Sequence, residues 1–228
     1  MIKVVREWLE LTPRDALVVE VGAGVGFMKK ELRKANPTAR YIGGDVAATN
    51  TTQVVFDAAA LPWGPSALDA LVAMEVVEHL ETPEEFLREA ARVLRPQGHL
   101  IVTMPFMFGV HDFRDYRRFT PLGFQSVIEE CGLTLVDSKT RGGTFVAASG
   151  LIRHLILLAI VGQPRNWRAE GRSKKIRWLV ATAVLTPWTV ITYVAYGLDW
   201  LLDRSSASPP GYFFLCSPAA SGAPADGS

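Results

Sequence analysis

The sequence predicts an α/β fold, a doubly wound and mostly parallel sheet with helices on both faces. Three observations carry that prediction. Apolar runs of strand length alternate with helix-patterned segments along residues 16–140. The first run, at 16–21, is continuously apolar up to Glu20, as expected for a strand covered on both faces. It opens into Gly22, Gly24 and Gly26 before a basic helix-like stretch, a turn built for something that must approach the backbone closely.

The elements follow in order. Residues 3–11 read as a short amphipathic helix ended by Thr12-Pro13. "ALVVEV" (16–21) is the first strand, and "MKKELRKAN" (28–36) is a helix stopped by Pro37. "ARYIGGDV" (39–46) is a second strand ending in an acid, and "TQVVFDAAALP" (52–62) supplies a short third one. "LDALVAMEVVEHL" (68–80) begins as a fourth strand. Thr82 then reads as an N-cap, with Pro83 at the first helical position and Glu85 completing a capping box. The helix "EEFLREAARVL" ends at Arg95-Pro96, and "QGHLIVTMP" is the fifth strand. A helix at 121–132, the strand-like "LTLVDSKTR" and, much later, "GYFFLC" (211–216) complete the pattern.

Composition narrows the class. Apolar residues make up 49% and charged residues 21%, as in a globular chain, and a formal net charge of +1 provides no field to recruit nucleic acid. Cys131 and Cys216 fit no metal or redox spacing and read as core packing in a reduced, cytoplasmic setting. The four histidines have no ligand spacing, so no metal is expected. The charged N-terminal stretch does not read as a signal peptide.

The glycine spacing discriminates between ligands. A dinucleotide fingerprint would put its third glycine at 27, where the chain has Phe27. Glu20, two residues before Gly22, would repel a pyrophosphate, so oxidoreduction with NAD is disfavoured. An acid there suits a cation. S-adenosylmethionine (SAM) carries sulfonium and ammonium groups and no phosphate. Asp45, at the end of strand two, is placed to accept both ribose hydroxyls. Asp57 could accept from the adenine amino group, with the Ala58 backbone completing that edge. The turn beginning at Met74 lies where carbonyls could hold the ligand's ammonium.

"EVGAGVG" (20–26), "GGDV" (43–46), "FDAAALPW" (56–63), "LDALVAMEVVEHL" (68–80) and "RVLRPQGHLIVTMPF" (92–106) resemble, in this order, the class I SAM-dependent methyltransferases. The resemblance covers about residues 16–150 and the strand at 211–216. It implies a Rossmann-like, mostly parallel seven-stranded sheet with a helical insertion before the last strand, and methyl transfer from SAM. "HDFRDYRRFTPLGFQSVIEECGL" (111–133) is similar to a subgroup associated with cell-surface glycan and lipid-linked biosynthesis. Two departures stand out. Gln97 replaces a glycine, and the stretch between Asp45 and Asp57 is too short for the usual helix after strand two.

The implied chemistry leaves roles open. Methyl transfer is an in-line displacement at an activated carbon, so a base is needed only where the acceptor is a hydroxyl. His79 is one candidate and His111 another, with Asp112 beside His111 to orient it. Both histidines have a plainer reading as loop residues. Asp112, Tyr116, Arg117 and Arg118 are candidate acceptor contacts, the arginines for a carboxylate or phosphate.

The expected organisation is a SAM-binding core at 1–149, an insertion at 150–204, a return strand at 205–216 and a disordered tail at 217–228. The insertion contains "GLIRHLILLAIVG" (150–162), then Arg165, Arg168, Arg172, Lys174, Lys175 and Arg177 against the single acid Glu170. From Trp178 to Leu198 it has no charge, a length that could span a bilayer. A returning last strand argues against a single crossing. A hairpin in the interface of an anionic membrane, a lid or homodimer surface, and true insertion are the three readings. The favoured function is a SAM-dependent methyltransferase acting on a small or lipid-linked acceptor, a sugar hydroxyl among the candidates, peripheral at the inner membrane face. The alternative is a non-catalytic SAM-binding subunit or scaffold at the membrane.

Overall fold

The computed structural model describes residues 2–161, 179–180, 182–183, 186–202 and 207–220. The chain forms two compact units. One comprises Met1–Met104, Arg117–Lys139 and Phe213–Ser228; the other comprises Pro105–Tyr116 and Thr140–Tyr212.

The first unit carries the sheet. Its elements are α1 (Ile2–Leu9), β1 (Leu17–Val21), α2 (Phe27–Ala35), β2 (Arg40–Asp45), β3 (Val54–Val55), β4 (Leu68–Met74), α3 (Pro83–Val93), β5 (Leu94–Pro105), α4 (Pro121–Glu130) and β6 (Leu133–Thr140), closed by β7 (Gly211–Pro218). Seven strands form one mixed sheet in the order β3-β2-β1-β4-β5-β7-β6, the Rossmann-like arrangement expected. β1 pairs in parallel with β2 and β4, β2 with β3 and β4 with β5. The chain winds outward from β1 to one side and then resumes beside it with β4, so the strand order switches at β1. Ligands in open α/β sheets sit beyond the carboxyl ends of the strands at such a switch. Register puts Val21 level with Gly44 and Ala73, and Met74 level with Thr103, so Glu20, Asp45 and Met74 share one edge.

The returning strand is locked on both faces. Phe213 and Leu215 join Val5, Trp8, Leu9, Val18, Met28, Leu32 and Ile101 in one core, with Trp8 edge-on to Phe213 at 6.5 Å. Phe214 points the other way, its ring 4.5 Å from Phe124 of α4. Alternation across a doubly covered strand explains why "GYFFLC" contains no charge. Both thiols are buried, and burial pushes Cys216 up to about 12.

The second unit is built on α5 (Thr144–Val161) and α6 (Trp188–Leu202). Asp199 of α6 is buried and caps α5 from across the pair. Its carboxylate accepts from the backbone N–H groups of Gly143 (2.8 Å), Phe145 (2.7 Å) and Val146 (3.1 Å). The Trp188 indole donates to Ser149 Oγ at 3.0 Å. Phe108 lies against the rings of both His111 and His154.

Several local expectations are corrected. Thr82 does not cap α3 with its side chain; its hydroxyl donates to Glu85 Oε2 at 2.9 Å, so the capping box is not formed. Thr120 does cap α4, accepting from the Gly123 N–H at 3.1 Å. The apolar helix that enters the expected insertion at 150 already begins at Thr144, where Asp199 satisfies its first turn. α5 is therefore the described helix long and apolar enough to cross a membrane, whereas the uncharged run from Trp178 turns at Thr186-Pro187 before α6. β7 extends to Pro218, inside the tail expected from 217. The basic run at 165–177 and the tail beyond residue 220 lie outside the described residues.

Candidate functional site

The turn after β1 takes a backbone path that suits only glycine. Gly22, Gly24 and Gly26 have φ of 67°, 48° and 72°, all in the left-handed region that costs ordinary residues about 1–2 kcal/mol each. At Gly22 a Cβ would also stand 2.6 Å from Val76 Cγ2, in the turn after β4. At Gly24 no neighbour comes within 3.9 Å, so the demand there is conformational alone. The loop is closed by Gly26 N–H to Ala23 O (2.7 Å) and tied to β2 by Ala23 N–H to Gly44 O (2.9 Å).

Acids ring this loop. Asp45, half-buried at the end of β2, accepts from Gly24 N–H at 3.2 Å and from Ala47 N–H at 3.3 Å. Glu20 is buried and accepts from the Tyr41 hydroxyl. Burial raises its pKa from 4.5 to about 7, against the pull of the Tyr41 hydrogen bond and with a further push from the Asp45 charge. In turn, burial and Glu20 hold the Tyr41 hydroxyl well above its ordinary value. Glu20 is thus an acid poised near neutrality, and a cation brought beside it would favour its carboxylate form.

The segment between Asp45 and Asp57 has no helix, as expected. Threonines occupy the space instead. Thr49 and Thr51 hydroxyls both donate to Gly24 O, and Thr49 lies 2.7 Å from the Thr52 hydroxyl. Asp57 is exposed and accepts from Ala59 N–H at 2.9 Å in a tight turn, with Ala58 buried beside it.

One site residue escaped the sequence reading. Glu75, directly after Met74, has φ of 54°, a strained value for a non-glycine residue. Two bonds to Thr103 of β5 hold it there: Glu75 N–H to Thr103 O (2.9 Å) and the Thr103 hydroxyl to Glu75 Oε1 (2.9 Å). The available signal was positional: like Glu20 and Asp45, it is an acid at the carboxyl end of an apolar strand. The following turn, Val77–His79, carries His79, partly exposed, with Nε2 3.7 Å from Glu78 Oε1.

The remaining candidates are distributed between the units. His111, in the second, pairs with Asp115 rather than with Asp112: Nδ1 is 3.1 Å from Asp115 Oδ2, and the His111 N–H donates to the same oxygen at 3.2 Å. Asp112 is turned into its own loop, accepting from Arg114 N–H at 3.1 Å. Neighbouring side chains in a turn diverge, whereas the curl of residues 111–115 brings the fourth residue back. Tyr116 is half exposed. Arg117, in the first unit, donates to Glu84 Oε1 (2.7 Å) and Glu81 O (3.1 Å), and Arg118 donates to Arg117 O (2.8 Å). The structure thus gathers Glu20, the three glycines and Asp45 into one rim, and engages Arg117 with α3.

This rim fits SAM. It offers left-handed glycines without side chains and the carboxylates of Glu20 and Asp45. Comparisons with known proteins agree. Residues 19–102 match the family described as Methyltransferase domain. Over 101 residues the chain is 29% identical to the malonyl-[acyl-carrier protein] O-methyltransferase of Hahella chejuensis, covering 39% of this chain and 36% of that protein. The chain thus spans little more than a third of that relative's length. Among solved structures, a candidate sarcosine dimethylglycine methyltransferase of Galdieria sulphuraria has a TM-score of 0.60 at 15% identity, covering 96% of this chain and 83% of that one. The phosphoethanolamine N-methyltransferase 2 of Haemonchus contortus, solved with S-adenosyl-L-methionine, has a TM-score of 0.57 at 12% identity, covering 96% and 52%. The stretch that resembles a methyltransferase domain in sequence, residues 19–102, thus contains the glycine turn, Glu20, Asp45 and the end of β4, and the solved structures share the fold around it.

Proposed function

We propose that the protein transfers the methyl group of SAM to a small or lipid-linked acceptor, a sugar hydroxyl among the candidates. The observation that carries this reading is the bond from Gly24 N–H to Asp45, which holds three left-handed glycines against an acidic strand end. SAM supplies a methyl carbon already activated by a positive sulfur, which leaves as neutral thioether when the acceptor's lone pair displaces it. The chain's task is therefore positioning and charge management.

Asp45 offers acceptor oxygens for a diol, and its long bonds to Gly24 and Ala47 are readily exchanged for shorter ones. Glu20, ionised beside a cation, fixes the ligand's amino end. Glu75 and Val76 set the floor of the loop from the end of β4. When the acceptor is a hydroxyl its proton must leave, and His79, the partly exposed imidazole on that turn, receives it. The arginines at 114, 117 and 118, and the resemblance of residues 111–133 to a subgroup of cell-surface glycan and lipid-linked biosynthesis, support an acceptor with an anionic or glycosyl portion.

Incubation of the protein with methyl-labelled SAM and total cell extract tests the reading, with Asp45→Ala as control. Label in an organic extract, lost in the variant, identifies a lipid-linked acceptor, and label in the aqueous phase a soluble one. Measurable SAM binding without any labelled product would contradict methyl transfer and support the binding-subunit alternative.

A further inference from the structure

We propose that α5 and α6 form a docking surface that lies in the plane of an anionic lipid bilayer. The inference is independent of methyl transfer and rests on the second unit by itself.

The two helices bury only a narrow stripe against each other and their own unit. On α6, Ala195 and Asp199 are buried, while Val190, Ile191, Tyr193, Val194, Tyr196, Trp200, Leu201 and Leu202 are exposed. Tyr193 is 77% and Trp200 82% exposed. On α5, Ile152 and Leu155 are exposed as well, Leu155 at 64%. Soluble surfaces rarely gather so many large apolar side chains without a partner.

Charge identifies the partner. The two helices contain one acid, Asp199, and it is turned inward onto the start of α5. The only Lys or Arg on them, Arg153, is exposed. The sequence joining them has six basic residues between 165 and 177 against the single Glu170. An apolar face with tyrosines and a tryptophan, no outward negative charge and a flanking basic run matches acyl chains beneath anionic headgroups. A second copy on the same face would show instead as a dimer that needs no lipid.

The same residues argue for lying in the membrane rather than crossing it. β7 returns to the sheet, so an even number of crossings would be needed. α6 has 15 residues, a length of roughly 22 Å at 1.5 Å per residue, against a hydrocarbon core of about 30 Å. Arg153, in the middle of α5, would sit at the bilayer centre in a crossing but can reach headgroups from an in-plane helix.

Flotation of the full chain with vesicles tests this. Equal parts of phosphatidylglycerol and phosphatidylcholine are compared with phosphatidylcholine alone, at low and high salt. The proposal expects the protein to float with the anionic vesicles at low salt and to sink as salt is raised. Combined Tyr193→Glu and Trp200→Glu substitution should weaken binding about tenfold or more, with helicity by circular dichroism unchanged. Arg153→Ser, an exposed position on α5, should weaken it as well. Failure to float, equal flotation with neutral vesicles, or wild-type flotation of both variants would overturn the proposal. So would a dimer in light scattering that the Glu substitutions dissociate in the absence of any vesicle binding.

Discussion

Two aspartates do the same chemistry in the two units and serve opposite ends. Asp45, at the rim of the sheet, is half-buried and accepts two backbone N–H groups at 3.2 and 3.3 Å. Asp199, on α6, is buried and accepts three, at 2.7, 2.8 and 3.1 Å. Long bonds at an open edge can be traded for a ligand's hydroxyls with little loss. Short ones in a closed site cannot, because each abandoned N–H would stay dry and unpaired. The difference separates an acid that can exchange its partners from one that cannot, and it extends to the units that contain them. The first places acids along its carboxyl edge; the helices α5 and α6 of the second turn their only acid inward and many large apolar side chains outward.

The largest effect that would sharpen this contrast is Asp199→Ala. Losing three bonds to a charged acceptor should destabilise the start of α5 by about 4 kcal/mol. Hydrogen exchange at the Gly143, Phe145 and Val146 amides reads this, and SAM affinity should not move. Slow exchange retained in the variant would break the distinction.

Next comes the pH response of Glu20. Its folded pKa of about 7 stands above its ordinary 4.5. Between those values the folded protein keeps a proton that the unfolded chain has released. The contribution of Glu20 to stability is therefore fully present below pH 4.5 and is lost as pH rises through the window, by roughly 3 kcal/mol in full. SAM affinity should move the other way, rising towards pH 8 as the carboxylate forms. Glu20→Gln should flatten both trends in urea unfolding and binding titrations at pH 5 and 8; a variant with wild-type slopes would place the titrating group elsewhere.

A smaller effect compares two glycines. Gly22→Ala combines a left-handed φ with a Cβ 2.6 Å from Val76, whereas Gly24→Ala has the φ alone. Losses in SAM affinity of about 2 and 1 kcal/mol, or some thirtyfold and fivefold, should follow in that order. The reverse order would mean that Val76 yields and does not set the loop.

Much of the first unit was legible because its signals are local. The alternating glycines, the acid at the end of β2 and the apolar run of β7 each report their own backbone. What was not legible depends on partners distant in sequence. The early start of α5 is fixed by a residue 54 positions away from Phe145. Glu75 holds a left-handed conformation only because Thr103 of the neighbouring strand grips it at both ends. His111 chose Asp115 over the adjacent Asp112 through the curl of its loop, and Thr82 spent its hydroxyl on a carboxylate that the capping pattern assigned to the backbone. Spacing identifies groups that can meet; it does not decide which of two nearby partners wins.

The central claim is that the rim around Gly24 and Asp45 binds a cationic nucleoside ligand without phosphates. Calorimetric titration of the protein with SAM and with NAD, repeated on Asp45→Ala, tests it most directly. The account predicts binding of SAM with release of a proton below pH 7, loss of about tenfold or more in the variant, and no heat from NAD. Tighter binding of NAD, or SAM binding indifferent to Asp45, would contradict it.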